Sequence, residues 1–193
     1  MSQSRLLSVL VDNKPGVLQR VASMIRRRGF NIDSLSVGPT DDDTVSRMTI
    51  TVHVGRQQAE QATKQLAKLI DVITIDDITG LRNVAHELVL IRMHAPPGER
   101  TELLNLVDIF RGRVVDVAAS SVIVEVTGSP EKIDNFIELM RPYGIKELAR
   151  SGVVALVRGD QARIRLIDFA MDGEQESEAA RATDAAGDTT GTV

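Results

Sequence analysis

The chain has 193 residues, of which 42% are apolar but only 3% are aromatic, and it contains neither tryptophan nor cysteine. The absence of cysteine excludes disulfides, thiolate metal sites and a cysteine nucleophile, and a core so poor in aromatics must rest on Val, Ile and Leu. The formal charge of −4 is concentrated at one end, because residues 172–193 hold six acids against one arginine, and the rest of the chain is near +1. Neither part has the concentrated basic field that nucleic-acid binding requires.

The sequence also predicts a cytoplasmic protein. No apolar segment reaches the length of a membrane span or of a signal h-region. A cysteine-free chain is compatible with a reducing compartment. At this length the chain forms either one ordinary domain or two small ones.

The first half of the chain predicts the element order βαββαβ. Alternation in RLLSVLV (residues 5–11) and in RMTITVHV (residues 47–54) indicates half-buried strands. A helix between them ends at Gly29, and its inward face carries Val17, Val21, Met24, Ile25 and Arg28. A second helix carries Ala59, Ala62, Leu66, Leu69 and Ile70. VITIDDI (residues 72–78) supplies the fourth strand.

The same element order is predicted again from residue 87. ELVLIRMHA (87–95) reads as a strand, residues 97–110 as a helix, RVVDVAAS (113–120) and SVIVEVT (121–127) as a strand pair, and IKELARSGVVALV (145–157) as the last strand. The second helix, residues 130–140, has Ser129 as N-cap and Pro130 as its first residue. Its inward face carries Ile133, Phe136, Ile137 and Met140. RGFNID from Arg28 and RGRVVD from Arg111 echo each other at an offset of 83 residues.

These patterns predict an α+β protein of two ferredoxin-like βαββαβ modules. The predicted domains are residues 4–80 and 85–159, followed by a disordered acidic tail at 171–193. RIRLIDFA (163–170) fits either an added strand or a docking segment. Because a βαββαβ module covers only one sheet face with helices, dimerisation is expected to cover the other apolar surfaces.

The sequence offers little catalytic chemistry. His53, His86 and His94 lie in or beside strands without a partner at triad or metal spacing, which favours structural roles. The acids of DDDT (residues 41–44) lie between two strands, where turn formation is the favoured interpretation. Neither a Walker loop nor a GxGxxG sequence occurs. We therefore predict no catalytic residue and no metal site in this chain.

Two other functions are compatible with the same element order. RNA-recognition modules share it, but they need aromatic residues on the central strands for base stacking, and the strands predicted here carry none. Acylphosphatase-like hydrolysis needs an arginine in the loop after the first strand, where this chain has Lys14.

The loop Asn13–Gly16 remains as a candidate binding site. A helix start offers free N–H groups at the positive end of the helix dipole, and these favour a carboxylate. Gly16 allows a small ligand to approach the main chain, and Asn13 has both donors and acceptors. The alternative is structural: Asn13 caps the helix and Gly16 permits a bend.

Read as a whole, residues 8–50, SVLVDNKPGVLQRVASMIRRRGFNIDSLSVGPTDDDTVSRMTI, resemble the ACT domain of the regulatory (small) subunits of acetohydroxyacid synthase, also called acetolactate synthase. IFRGRVVDV (109–117) and ARSGVVALVRG (149–159) resemble the carboxy-terminal domain of that family. The resemblance covers about residues 4–159, and the acidic tail lies outside it.

The resemblance implies a non-catalytic subunit. Such a subunit activates a catalytic (large) subunit and confers feedback inhibition by valine, with leucine or isoleucine as weaker effectors, in branched-chain amino acid biosynthesis. The cofactors it implies, thiamine diphosphate, magnesium and FAD, belong to the large subunit, and none is expected in this chain. The expected partners are the large subunit and a second copy of this chain, bound through the ACT domain, with no nucleic acid and no membrane. A stand-alone ACT sensor that controls another enzyme or a transcription factor is the alternative.

The resemblance also implies an effector site between two ACT domains. Its expected residues are Asn13, Gly16, Val17, Leu18, Asn31 and Ile32. The N–H groups of residues 16–18 would bind the effector carboxylate, and Asn31 would hold its polar end. Val17, Leu18 and Ile32 would enclose the branched side chain, although Val17 and Leu18 equally fit core positions and Asn31 fits a strand start.

Overall fold

The protein is represented by a computed structural model that describes residues 3–159. Its first module comprises β1 (Gln3–Asp12), α1 (Val17–Arg27), β2 (Ile32–Pro39), β3 (Val45–Val54), α2 (Arg56–Leu66) and β4 (Val72–Asp77). The strands form an antiparallel sheet in the order β2-β3-β1-β4. This is the predicted ferredoxin-like arrangement, and it leaves β2 at an edge of the sheet.

The second module repeats this arrangement. It comprises β5 (Asn83–His94), α3 (Arg100–Ile109), β6 (Arg113–Val117), β7 (Ser121–Gly128), α4 (Pro130–Met140), a 3-10 turn (Arg141–Tyr143), β8 (Ile145–Arg150) and β9 (Val154–Val157). The sheet order is β6-β7-β5-β8, and β9 pairs with the first four residues of β5. The prediction of two α+β modules is therefore confirmed.

Each module has its own core between the sheet and its two helices, and the second core includes the buried ring of Phe136. The alternating apolar residues of RMTITVHV in β3 are all buried in the first core, namely Met48, Ile50, Val52 and Val54. The inward residues predicted for α4 are all buried in the second core. The Ser129 hydroxyl accepts a hydrogen bond from the Lys132 N–H at 3.3 Å, so the predicted N-cap is present.

The structure differs from the predicted elements at several places. Arg28, predicted on the inward face of the first helix, lies beyond α1 and is exposed, β5 begins at Asn83 instead of residue 87, and β6 ends at Val117 instead of residue 120. Helix α2 ends at Leu66, so Ile70 lies beyond it in the turn to β4 and is 97% exposed rather than inward-facing. Helix α3 starts at Arg100 instead of residue 97, because Pro96 and Pro97 precede a turn in which the Glu99 N–H bonds to the Pro96 carbonyl. The last predicted strand is divided into β8 and β9 at Gly152, whose φ of 77° interrupts the extended backbone.

The sequence echo between Arg28-Gly29 and Arg111-Gly112 hides a difference in backbone geometry. Gly29 has a φ of 72° after α1, whereas after α3 the left-handed residue is Arg111, with a φ of 52°. Gly112 is needed for a different reason, because a Cβ there would lie 2.9 Å from methyl groups of both Val107 and Val126. The two glycines therefore serve turn geometry in one module and close packing in the other.

A small third cluster joins the modules. Ile78, Val153 and Ala155 are buried together, and Leu6, Leu81, Ala85 and Val157 pack against them. Within the described residues, no helix is long and apolar enough to cross a membrane. The tail predicted at 171–193 and the segment 163–170 lie outside the described residues.

Candidate functional site

Asn13 is fixed to the loop between β2 and β3 and does not cap α1. Its backbone N–H donates to the Thr44 carbonyl at 2.7 Å, and its Nδ2 donates to the Asp43 carbonyl at 2.8 Å. The side chain is exposed. One amide hydrogen is thus used, while the Oδ1 acceptor has no hydrogen-bond partner among the described residues. The structural alternative, in which Asn13 caps the helix, does not describe this geometry.

The N-terminus of α1 has no side-chain cap, although the Val17 N–H donates to the Lys14 carbonyl at 3.4 Å. Its N-cap is Gly16, in the left-handed region with a φ of 86°, and no side chain caps the first turn. The first intrahelical bond runs from the Arg20 N–H to the Gly16 carbonyl at 3.1 Å. The N–H groups of Leu18 and Gln19 therefore belong to the set that a helix cannot satisfy internally. No acidic residue lies in the first turn to neutralise the positive end of the helix dipole.

Two cations stand beside this helix start, each paired with an acid. Lys14 Nζ lies 2.6 Å from Asp12 Oδ2, and this hydrogen bond raises the pKa of Lys14. Arg20 makes a two-pronged contact to the buried Asp71 at 2.7 and 2.8 Å. One of its guanidinium nitrogens would lie 3.4 Å from a Cβ at Gly16. The sequence did not indicate the Arg20–Asp71 pair, since the two residues are 51 positions apart and meet only through the fold.

The loop between β2 and β3 supports Asn13 through turn chemistry. Asp42 Oδ1 accepts hydrogen bonds from the Thr44 N–H at 2.8 Å and from the Thr44 hydroxyl at 2.6 Å. These bonds lower the pKa of Asp42 because they favour its charged form. The interpretation of DDDT as a turn is confirmed. The role of Asp43 and Thr44 as partners of Asn13 was not predicted.

The expected apolar residues of the site differ in exposure. Val17 is 2% exposed and belongs to the first core, whereas Leu18 is 43% exposed on the surface of α1. Ile32 is half-buried at the start of β2 and packs against the first core, and Asn31 before it is exposed. The side chains of Leu18 and Ile32 are therefore accessible to a ligand, whereas that of Val17 is not.

A single chain does not bring the two halves of the expected site together. Asp12, at the end of β1 next to the Asn13 loop, pairs with Val45 of β3. Ile32 of β2 pairs with Val52 of β3, and Val52 pairs with Arg5 near the start of β1. Arg5 and Asp12 are seven residues apart on one strand, which at about 3.4 Å per residue is about 24 Å. The Asn13 loop and the Asn31 strand start thus lie at opposite ends of the sheet.

The second module has no equivalent of this open helix start. The Arg100 guanidinium fills the region before α3 and donates to the carbonyls of Ala95, Ala118 and Ala119 at 2.9, 2.8 and 3.2 Å. The N-cap is Glu99, and Glu102 lies in the first turn. Both acids would repel a carboxylate ligand, which the positive end of the helix dipole would otherwise attract. Among the described residues, no group of three or more His, Asp or Glu is arranged to hold a metal ion.

Comparisons with known proteins agree on one family. Residues 7–74 match the family model described as an AHAS small subunit-like ACT domain, and residues 86–159 match the model for the small subunit of acetolactate synthase. The chain is 57% identical over 155 residues to a probable acetolactate synthase small subunit of Archaeoglobus fulgidus, a match that covers 80% of this chain and 97% of that protein. It is 46% identical over 160 residues to the acetolactate synthase small subunit of Bacillus subtilis, covering 82% of this chain and 93% of that protein.

A solved structure agrees with this family assignment at the level of the fold. The small subunit of acetolactate synthase from Thermotoga maritima superposes with a TM-score of 0.76 at 38% identity. The match covers 82% of this chain and 99% of that one.

Proposed function

Because the chain belongs to the family of acetolactate synthase small subunits, we propose that it is a non-catalytic subunit that activates the catalytic subunit and confers feedback inhibition by valine. Family membership rests on the identity and coverage of its relatives. Thiamine diphosphate, magnesium and FAD are proposed to reside in the catalytic partner. The observation that carries the valine assignment is the open, uncapped N-terminus of α1 beside Asn13.

The chemistry of this surface supports an α-amino acid with an aliphatic side chain. Unpaired N–H groups at the positive end of a helix dipole stabilise a carboxylate. The amide oxygen of Asn13 has capacity to accept from an ammonium group. Leu18, at 43% exposure, offers apolar contact to a branched side chain. An effector with a charged side chain would lose that contact.

The proposed site lies between two copies of the chain. Strand β2 is an edge strand, and an edge exposes backbone N–H and C=O groups that can pair with another strand. Pro39 of β2 pairs with Ser46, which pairs with Val11 next to the Asn13 loop. Antiparallel pairing of two β2 strands sets the start of one beside the end of the other. Asn31 and Ile32 of one copy would then lie beside the Asn13 loop of its partner.

Calorimetric titration tests this proposal directly. The full chain is titrated with valine, leucine and isoleucine, and with lysine as the control ligand. We expect saturable binding of valine, weaker binding of leucine and isoleucine, and none of lysine. Asn13→Ala and Asn31→Ala should each remove valine binding, and in the reconstituted holoenzyme they should relieve inhibition while activation is retained. Full valine sensitivity in both variants would show that the site is elsewhere.

A further inference from the structure

The turn between β8 and β9 lies very close to β2 at Gly152. Only glycine fits at this position without displacing a neighbouring atom. Gly152 is buried, with a φ of 77°. A Cβ at this position would lie 2.9 Å from the Ser36 hydroxyl and 3.3 Å from the Leu35 carbonyl oxygen. The second module thus places its backbone directly against the edge strand of the first.

Hydrogen bonds on both sides of Gly152 reinforce this contact. The Ser36 hydroxyl donates to the Ser151 carbonyl at 3.1 Å, and the Val153 N–H donates to the Ser34 hydroxyl at 3.5 Å. Ser34 in turn donates to the Thr51 hydroxyl of β3 at 3.0 Å. The turn therefore holds β2 at two successive residues of the same face.

The turn itself is fixed to the second module. The Ser151 N–H donates to the Leu88 carbonyl, and the Ser151 hydroxyl accepts from the Leu88 N–H, each at 3.0 Å. The preceding Arg150 pairs with Glu87, whose side chain is 2% exposed, and with Asp134 of α4 at 2.8 Å. Any movement of the turn therefore involves β5 and α4.

The strand that the turn holds is irregular at its start and borders a groove. The pairing of β2 with β3 shifts register between Ile32 and Ser34, so Asp33 forms a bulge where a strand bends readily. A groove of about 500 Å³ lies between the modules at this point, lined in part by Asp33, Thr51 and Asp134. The bulge at Asp33 separates Ile32, which is proposed to contact the effector, from Ser34, the first β2 residue to which the turn is hydrogen-bonded.

We infer that the Ser151–Val153 turn is a positioning element: it sets the position of β2 for effector binding and transmits occupancy of the effector site to the second module. This inference rests on the proposed function. An effector that binds one position of β2 more tightly must favour the matching position of the turn. A substitution that shifts the position of the turn and of β2 must therefore change the affinity for the effector.

The test is a valine titration of the reconstituted holoenzyme with matched variants. Gly152→Ala is expected to displace the Ser36 side chain and the adjoining backbone of β2. Gly144→Ala is the control, because Gly144 has nearly the same φ of 78° but a Cβ there meets only His94 at an ordinary 3.6 Å. Ser36→Ala removes one hydrogen bond without adding bulk. We expect the half-inhibitory valine concentration to rise by about fivefold or more in Gly152→Ala. It should rise about threefold in Ser36→Ala and stay within about twofold of wild type in Gly144→Ala.

The outcomes separate this inference from the proposed function. If the wild-type holoenzyme responds to valine and both Gly152→Ala and Ser36→Ala respond identically, the turn is only structural and the inference is wrong. The same conclusion holds if Gly144→Ala shifts the response as much as Gly152→Ala. If wild type neither binds valine nor is inhibited by it, the proposed function itself fails. Ser36→Ala keeps the test valid should Gly152→Ala fail to fold.

Discussion

At the scale of single residues, Gly16 has the strictest requirement at the proposed site. Its φ of 86° is unfavourable for other residues, and a Cβ would meet the Arg20 guanidinium at 3.4 Å. We expect Gly16→Ala to lower the free energy of unfolding by about 1–2 kcal/mol and to weaken valine binding about tenfold. Urea denaturation and calorimetry measure the two effects. Gly144→Ala should show the stability loss alone, and equal valine affinity in both variants would refute a binding role for Gly16.

Asp42 supplies a prediction about pH. Hydrogen bonds from Thr44 lower the pKa of Asp42 in the folded state, so the unfolded chain binds more protons near that pKa. The stabilisation is present above the unfolded pKa of Asp42 and is lost as the pH falls through the lower, folded pKa. An NMR titration of the carboxyl group should show the depressed pKa in wild type and a value closer to that of an unperturbed aspartate in Thr44→Ala. An unchanged pKa in the variant would contradict this origin of the shift.

At this scale the sequence indicated the proposed binding surface but not the residues that support it. Asn13 and Gly16 stood out because a polar residue and a glycine precede a helix, and the structure leaves both exposed at an uncapped helix start. The sequence did not indicate the roles of Asp43 and Arg20. Asp43 accepts a hydrogen bond from Asn13, and Arg20 donates to Asp71, and in both pairs the partner is far away in the sequence. Local sequence patterns reveal helix caps and turns, whereas residue pairs that are distant in the sequence can be identified only from the folded structure.

At the scale of elements, α4 was predicted correctly because its signals are local. Ser129 caps it, Pro130 opens it, and its buried residues keep helical spacing. We expect Ser129→Ala to lower the free energy of unfolding by about 1 kcal/mol, because the Lys132 N–H loses its acceptor. Ser129→Asp should restore most of this loss, and valine inhibition should be unchanged in both. A thermal melt of Ser129→Ala that matches wild type would show that the cap contributes nothing.

The elements that were predicted wrongly depend on distant contacts. Residues 145–157 alternate like one strand, yet Gly152 turns the chain so that β9 pairs with the start of β5 and Ala155 packs with Ile78. Ile70 fits the helical spacing of α2, but the helix stops at Leu66 and the Val72 N–H bonds to the Leu69 carbonyl in the turn. In both cases apolar periodicity continues past the point at which backbone geometry changes.

At the scale of the whole molecule, the Glu87–Arg150 pair stabilises the region where the modules meet. Burial by itself lowers the pKa of Arg150, but the hydrogen bonds that Arg150 donates to Glu87 and Asp134, together with the charges of these acids, outweigh it and the pKa is raised. Arg150→Ala leaves the Glu87 carboxylate buried without its cation. We expect a loss of about 1–3 kcal/mol, reduced from that of a fully buried pair because Arg150 is 35% exposed.

A matched pair gives the control for this prediction. Arg92 and Glu147 are both exposed, at 41% and 72%, so Arg92→Ala should change the free energy of unfolding by less than about 0.5 kcal/mol. Adding Glu87→Gln to Arg150→Ala should recover much of the lost stability by removing the unpaired charge. Equal urea midpoints for Arg150→Ala and Arg92→Ala would contradict the buried role of Glu87.

The proposed valine site also belongs to the scale of the whole molecule, because two copies of the chain share it. Its most direct test is complementation: Asn13→Ala and Asn31→Ala chains, each unable to bind valine, are co-expressed and the mixture is titrated with valine. In a mixed dimer one site carries both substitutions and the other carries neither. Random pairing should therefore restore about one quarter of the wild-type number of sites, at wild-type affinity. A mixture that binds no more valine than either variant alone would contradict a site built from two chains.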